Sequence, residues 1–218
     1  MNRDTRLILY ACPTGPLHQE LETYFMYVEQ QFGPNGAHKY PPHVTLTSFF
    51  SVPDKRQVGA IAAELRTAFR GKPAPSFFMR DVVLRGTRSP GRTVKIAMVC
   101  PWIEAPMLEF RAKVAHMVHS QVSVKPSQSH HLSLAYGYRV SDHDTIVSSV
   151  RDRISAFRHS NTPAENSVAM WSSAYWDVCL CEPPSEEILD VPKNQSLPWS
   201  TICANWIEHA RLTFGGSI

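Results

Sequence analysis

Apolar and polar residues along the chain follow two periods, that of a strand and that of a helix, and the two kinds of segment alternate. A nearly continuous apolar run predicts a buried first strand at 6–11. The spacing of Leu17, Leu21 and Phe25 then places one apolar stripe on a helix over 17–32. Clusters of glycine and proline separate such segments and predict the turns between them.

The same two periods predict the rest of the element order. Further strands are expected at 43–50, 76–84, 93–100, 131–138 and 170–181, and further helices at 54–70, 105–120 and 141–157. Because helices recur between strands in both halves, the pattern predicts a duplicated α+β arrangement with two sheets flanking a groove. The segment 185–218 is expected to dock on this body and to close with a short helix over 199–212.

Two of the predicted strands begin with the same pattern, a histidine and a hydroxyl residue interleaved with aliphatic residues. The first motif is His-Val-Thr-Leu from His43, and the second is His-Leu-Ser-Leu from His131. Residues two apart on a strand face the same side, so each imidazole is expected beside the hydroxyl of Thr45 or Ser133. One copy alone is explained as well by a half-buried strand whose histidine meets a backbone carbonyl. The second copy is what favours a functional site.

Two imidazoles and two hydroxyls in one cleft suit acid–base chemistry on an anionic centre such as phosphate. Histidine has an unperturbed pKa of about 6.5, so one neutral imidazole can deprotonate an attacking water while the other, protonated, donates to the leaving oxygen. The hydroxyls of Thr45 and Ser133 are expected to donate hydrogen bonds to the non-bridging phosphate oxygens. The two motifs are nearly interchangeable, so the sequence leaves open which histidine is the base.

Two other uses of these residues fit the pattern less well. A Ser/His/Asp nucleophile needs a serine on a sharp turn facing its histidine, whereas here the hydroxyl lies beside the histidine on one strand. A zinc site needs a second imidazole or a carboxylate where each motif has a hydroxyl, and the sequence contains no His-Glu-x-x-His or Cys-x₂-Cys pair. We therefore expect no metal and no cofactor, and activity that survives a chelator.

Composition narrows the class of partner. With 43% hydrophobic residues in 218, the chain can bury one sizeable core. A net charge of +3 is too mild for a protein that coats long nucleic acid, and a small anionic ligand fits better. The apolar runs are too short to span a bilayer, the amino terminus is polar, and the five cysteines lack a paired framework, which predicts a soluble, cytoplasmic protein. Cys179 and Cys181 are expected to be buried packing.

Weaker candidates flank the two motifs. Tyr40 and Tyr138 are candidates for stacking on a substrate base, although aromatic residues in such apolar strands usually pack in the core. Lys39 and Lys125 precede the motifs and are candidates for attracting an anion, although lone lysines are usually just solvated. The loop at 85–92 carries three arginines, which either line a solvated turn or reach a phosphate at the cleft rim.

The chain resembles the 2H phosphoesterases, a family defined by two His-x-Thr/Ser-x motifs in two related halves of one domain. The surrounding residues extend the resemblance, namely the stretch 9–17, the Ala-His-Lys-Tyr-Pro-Pro run before His43, and Leu-Ala-Tyr in the second motif strand. They are similar to the amino-terminal phosphoesterase domain of the T-cell ubiquitin ligand (suppressor of T-cell receptor signalling) proteins. The likeness runs from about residue 6 to residue 181 and does not include 185–218.

The resemblance implies a bilobal LigT-like domain at 1–184, with two pseudo-symmetric antiparallel sheets flanked by helices around a central cleft, and a carboxyl-terminal extension at 185–218. It implies that His43 and His131 are catalytic and that the substrate is a small nucleotide or RNA end, first of all a 2′,3′-cyclic phosphate. Cleavage of 2′,5′-oligonucleotides or cyclic dinucleotides, and nucleotide binding without turnover, remain alternatives. The chain has no room for the ubiquitin-associated, SH3 and histidine-phosphatase domains of the larger relatives, so protein partners stay open.

Overall fold

The computed structural model describes residues 4–85, 93–100, 102–117, 124–153, 176–184, 201 and 204–214. Within them the chain forms eight strands and four α-helices. The strands are β1 (Thr5–Pro13), β2 (Val44–Thr45), β3 (Phe50–Val52), β4 (Phe78–Arg85), β5 (Thr93–Val99), β6 (His131–Tyr136), β7 (Trp176–Glu182) and β8 (Ile207–Leu212). The helices are α1 (Gly15–Phe32), α2 (Gln57–Phe69), α3 (Glu104–Met117) and α4 (His143–Arg153).

The strands pair antiparallel in the order β4-β5-β6-β2-β1-β7-β8, and β3 pairs with β1 beyond the end of β2. Apolar residues of all four helices share one core with the strands. The predicted α+β class, with antiparallel strands flanked by helices, is confirmed. The two predicted sheets correspond to β4-β5-β6 and β1-β7-β8, and they are joined edge to edge because the two-residue β2 pairs with both β1 and β6.

The central strand, β1, is buried on both faces. Leu7 and Leu9 belong to the main core under the helices, whereas Ile8 and Tyr10 belong to a second cluster on the opposite face. A strand covered on both sides reads as a continuous apolar run rather than an alternating one, which is why its sequence predicted burial so clearly.

The helices follow the predicted apolar stripes. Leu17, Leu21 and Phe25 of α1 are all buried, and the helix ends at Gly33, whose φ of +78° suits glycine and whose N–H bonds to the carbonyl of Glu29. In the part of the chain that the structure describes, no helix combines the length and the apolarity that crossing a bilayer requires.

The predicted single strand at 43–50 is wrong, because the segment divides into β2 and β3. Both pair with β1, but their registers differ by two residues. Thr47 lies at the mismatch, and its buried hydroxyl accepts the N–H of Leu9 at 3.1 Å in place of a strand carbonyl. Next to it, the N–H of Ser48 donates to the carbonyl of Lys125 at 2.9 Å. The segment therefore leaves β1 to pair with a distant part of the chain, which local periodicity cannot predict.

The other predicted segments agree in type and differ at their ends. The predictions at 54–70, 105–120 and 141–157 correspond to α2, α3 and α4, and those at 76–84 and 93–100 to the paired strands β4 and β5. Several predicted positions lie outside the described residues, namely 118–120, 154–157, 170–175, the loop residues Arg88 and Arg92, and 185–200, 202–203 and 215–218 of the expected docked extension.

The predicted helix over 199–212 is wrong for its second half, because 207–212 form β8 at the edge of the sheet. β8 pairs antiparallel with β7, whose outer backbone groups it satisfies. The guanidinium of Arg211 donates to Asp177 at 2.8 Å and holds the pairing. Just before β8, the indole N–H of Trp206 donates to the carbonyl of Lys39 at 3.1 Å. These tertiary contacts override the helical spacing of the apolar residues.

A single turn of 3-10 helix at Gly36–Lys39 precedes the first motif in sequence and packs against the end of β6. The side-chain oxygen of Asn35 accepts the N–H of Ala37 at 2.9 Å and the N–H of Tyr136 at 3.4 Å. A Cβ added at Gly36 would overlap the ring of Tyr136. The approach of this turn to β6 therefore requires glycine at that position.

We expect Gly36→Ala to lower the free energy of unfolding by about 1 to 3 kcal/mol, because an added methyl in a packed region forces side chains or backbone to move. Urea denaturation measures this change. Gly59→Ala is the matched control, since Gly59 lies in α2 with open space around it, and there we expect a gain of roughly 0.5 to 1 kcal/mol. A gain from both substitutions would contradict the close packing on Tyr136.

Candidate active site

One backbone pairing places both motifs on the same side of the sheet. Val44 of β2 pairs with Leu132 of β6, and both side chains are fully buried in the core. Opposed residues on antiparallel strands share a face, and their neighbours along each strand take the other face. The four flanking side chains therefore project together, away from the core: His43, Thr45, His131 and Ser133.

These four side chains line one cleft of about 500 Å³. At the end of the first motif the cleft is bounded by Tyr10 and Tyr40, and at the end of the second by Thr93 and Lys95 of β5. The volume lies in the range of pockets that bind small molecules. The convergence expected from the two motifs is thus present in the fold.

Two hydrogen bonds orient the imidazole of His43. Its Nδ1 lies 2.7 Å from the carbonyl oxygen of Pro41, which only accepts, so Nδ1 carries the proton. The neutral ring then presents Nε2 as an acceptor, and the hydroxyl of Thr45, 3.1 Å away, donates to it. The first motif therefore holds an imidazole with its basic nitrogen in contact with its own hydroxyl.

The second motif fixes its ring in the same way. Nδ1 of His131 lies 3.1 Å from the carbonyl oxygen of Ser129, two residues earlier, as Pro41 is two residues before His43. In each motif Nδ1–H donates to a backbone carbonyl, which leaves Nε2 as the nitrogen for proton transfer.

The environment of His43 keeps its ring uncharged. Burial lowers the pKa of His43 to about 4, repulsion from His131 acts in the same direction, and the bond to Pro41 opposes both. Electrostatic coupling between the two rings also indicates that they lie near each other. At neutral pH His43 is therefore a neutral imidazole, the protonation state that a general base needs.

An aromatic wall, which we define as Tyr10, Tyr40 and Trp206, stands beside the first motif. The ring of Tyr10 lies 3.9 Å from that of His43, and the ring of Tyr40 lies 5.6 Å from it, measured between centroids. Trp206 packs on both tyrosines at 5.6 and 5.5 Å. Burial raises the pKa of Tyr10 well above its usual value, so its hydroxyl stays protonated. This wall restricts the position of the His43 ring.

The sequence pattern does not mark Tyr10 or Trp206 as residues of the site. Tyr10 lies in a continuous apolar strand and is indistinguishable there from a core residue. Trp206 comes from the far end of the chain and reaches the wall only because β8 pairs with β7.

The two weaker tyrosine candidates lie in different places. Tyr40 lines the cleft. Tyr138 is not among the lining residues, and its hydroxyl contacts Nδ1 of His143 at 2.8 Å, at the start of α4. Tyr138 therefore packs between β6 and a helix, which is the structural role that aromatic residues near apolar strands usually have.

The lysine that lines the cleft is Lys95, not Lys39 or Lys125. Both of the latter precede a motif in sequence, but neither side chain lines the cleft. Lys95 alternates with Thr93 on one face of β5, and its place beside the motifs follows from the pairing of β5 with β6. The alternation of Thr93 and Lys95 along β5 can be read from the sequence, whereas the pairing of β5 with β6 cannot.

The cysteine pair packs behind the aromatic wall. Cys179 and Cys181 are buried free thiols on β7, in one cluster with Tyr10 and Cys12. Burial raises the pKa of the Cys181 thiol, which keeps it protonated. This is the packing role that their spacing indicated.

Comparison with known proteins gives partial sequence matches. Ecdysteroid-phosphate phosphatase of Drosophila melanogaster is 56% identical over 48 residues, 22% of this chain and 6% of that protein. The protein of the same name from Bombyx mori is 28% identical over 158 residues, 66% of this chain and 22% of that protein. Human ubiquitin-associated and SH3 domain-containing protein B is 42% identical over 60 residues, 28% of this chain and 9% of that protein. No family model matches the chain.

Among solved structures, Kluyveromyces marxianus Usb1 aligns with a TM-score of 0.42 and 9% identity, over 81% of this chain and 93% of that one. The chain spans less than a quarter of the length of the curated relatives described above. The expected resemblance to proteins with ubiquitin-associated and SH3 domains is confirmed only in part, over 60 residues.

A second buried histidine supports the turn before the first motif. The N–H of Asn35 donates to Nδ1 of His38 at 3.0 Å, so this nitrogen must be unprotonated. Burial lowers the pKa of His38 to about 4. His38 and His43 are therefore both neutral in the folded protein over most of the acidic range.

We expect the free energy of unfolding to fall as the pH drops from about 6.5 to about 4. In this range His38 and His43 are protonated in the unfolded state but remain neutral in the folded protein. Above about pH 6.5 both histidines are neutral in the folded and in the unfolded state, so neither contributes to the pH dependence of stability. For the more deeply buried His38 the loss is roughly 2 to 3 kcal/mol at pH near 4.5.

Urea denaturation at pH 7.5 and 4.5 measures this loss in the wild type, in His43→Gln and in His116→Gln as the exposed control on α3. We expect a smaller loss in His43→Gln and an unchanged loss in His116→Gln. A loss in His43→Gln as large as in the wild type would show that this ring titrates normally.

Proposed function

We propose that this chain is a metal-independent phosphodiesterase of the 2H type that opens a nucleotide 2′,3′-cyclic phosphate. The observation that carries the proposal is the convergence of two histidine–hydroxyl pairs on one cleft. The names of the relatives support the broader class, hydrolysis of phosphoric esters, over the segments that they share with this chain. The choice of a cyclic nucleotide rests on the resemblance to the 2H family.

In the proposed reaction, His43 is the general base and His131 the general acid. Neutral His43 takes a proton from water through Nε2, and the water oxygen attacks phosphorus as the bond to one ribose oxygen breaks. Protonated His131 gives the Nε2 proton to that departing oxygen, which leaves a nucleotide monoester. The low pKa of His43 supports this assignment, which the near-identical motifs left open.

Thr45 links substrate binding to the release of the base. Without substrate its hydroxyl donates to Nε2 of His43 at 3.1 Å, the nitrogen that has to accept the proton. A phosphate in the cleft offers a stronger, charged acceptor for the same hydroxyl. When Thr45 turns to the phosphate, Nε2 becomes available to the attacking water, and Ser133 binds a second non-bridging oxygen.

We expect His43→Ala and His131→Ala each to slow hydrolysis of 2′,3′-cyclic AMP by about 10² to 10⁴-fold, because each removes one proton-transfer group. Product release is measured by chromatography with EDTA present, and wild-type activity should persist. His116→Ala, on the exposed face of α3, is the control and should retain full activity.

The same assay separates the proposed enzyme from a binding module. A wild type that binds cyclic nucleotides and short RNAs without turning any of them over would refute the proposed reaction and favour binding alone. Turnover of 2′,5′-linked or cyclic dinucleotide substrates in place of 2′,3′-cyclic AMP would refute the cyclic-phosphate substrate and keep the mechanism.

We expect Thr45→Val and Ser133→Ala to reduce kcat by about 10² to 10³-fold, as loss of a donor to developing negative charge does in other active sites. Thr67→Val is the matched control, since the exposed Thr67 hydroxyl bonds only its own helix at Ala63. Full activity in both motif variants would show that these hydroxyls do not contact the phosphate.

A further inference from the structure

The proposed reaction leaves one charged residue of the cleft without a role. Of the described residues that line the cleft, Lys95 is the one with a permanent charge, and none is Asp or Glu. The other polar groups there are hydroxyls and the two imidazoles. A phosphodiester is negatively charged at neutral pH, and Lys95 is the fixed positive charge that the described lining residues offer it.

The pairing of β5 with β6 places Lys95 next to the second motif. Lys95 pairs directly with Ser133, so the two side chains emerge on the same face. The half-buried position of Lys95 keeps its stem against the sheet and limits the volume that its ammonium group can reach.

Lys95 and Ser133 share the register in which Ile96 pairs with Leu132, and a bulge in β6 begins just beyond this pair. The pairing shifts between Val94 and Lys95, because Leu134 is an extra residue on β6, and both Leu134 and Ala135 turn into the core. Without the bulge, Thr93 would pair with the core residue Ala135 instead of Tyr136, which lines the cleft beside Lys95 and Ser133. Bulges of this kind re-aim side chains beside functional sites.

The two ends of the cleft differ in charge. Tyr10 and Tyr40 bound the end near His43 with uncharged rings, whereas Lys95 and Ser133 bound the other end with a cation and a donor. This difference favours one orientation of a ligand with one charged and one uncharged part, with its phosphate nearer to Lys95 than to the two tyrosines.

We propose that Lys95 is a further phosphate-binding residue, whose ammonium group donates to a non-bridging oxygen held at the same time by Ser133. The ligand class is a phosphate ester or inorganic phosphate. The effect on turnover rests on the proposed function, but the effect on binding does not. An ammonium group is a compact charge with three donors, so it tolerates small movements of the phosphate as the bond breaks.

Two variants of Lys95 test the proposal against a matched lysine. Lys95→Met keeps the length of the stem and removes the charge, whereas Lys95→Arg keeps the charge. Lys125→Met is the control, since this exposed residue precedes the second motif in sequence but does not line the cleft. Binding of inorganic phosphate and of 3′-AMP is measured by isothermal titration calorimetry, and turnover of 2′,3′-cyclic AMP is measured in parallel.

We expect Lys95→Met to weaken both ligands by about tenfold to a hundredfold, the usual effect of losing a charged hydrogen bond, and to lower kcat/KM by a similar factor. Lys95→Arg should regain part of the affinity, and Lys125→Met should stay within about twofold of the wild type. Should Lys95→Met not fold, Lys95→Gln compared with Lys95→Arg gives the same contrast of charge.

The outcomes separate this inference from the proposed function. Suppose that the wild type shows no hydrolysis, and that its binding of phosphate still depends on Lys95. The proposed reaction then fails and this inference stands. If the wild type is active and Lys95→Met binds both ligands within twofold of it, this inference fails alone. A wild type that binds neither phosphate nor 3′-AMP would overturn this inference, and one that also fails to hydrolyse 2′,3′-cyclic AMP would overturn both.

Discussion

The pairing of Val44 with Leu132 determines what the rest of the cleft can be. Both side chains are buried, so neither strand can slip by one residue without moving its aliphatic residue out of the core and a polar motif residue into it. Burial of the apolar side chains on one face thus fixes the position of the polar side chains on the opposite face. The hydrophobic effect acting on Val44 and Leu132 therefore holds the strands of the site in register.

That register would be of little use if the rings rotated freely. In each motif Nδ1–H donates to the carbonyl two residues earlier, so the tautomer and the direction of the ring are set by backbone geometry. The rings of the aromatic wall then limit the movement of His43 from the side. The result is a pair of imidazoles at the starts of β2 and β6, each oriented by a backbone carbonyl that lies just before its strand.

The edges of the sheet supply the asymmetry that the two motifs lack. On one side, β5 brings Lys95 beside Ser133, and on the other the segment before β8 brings Trp206 onto Tyr10 and Tyr40. Two nearly identical motifs therefore have different surroundings, and in the proposed reaction this difference distinguishes the base from the acid. A symmetric cleft would give the two rings equal proton affinities.

The sequence by itself determined the antiparallel α+β class, the positions of the main helices and strands, and the four motif residues, because periods of two and 3.6 and a repeated motif are local properties. Only the tertiary structure decided that 43–50 splits around Thr47, that 207–212 is a strand, and that Tyr10, Lys95 and Trp206 are neighbours of the site. These depend on which strands pair and in which register, and backbone pairing between distant segments leaves no periodic signal in either segment alone.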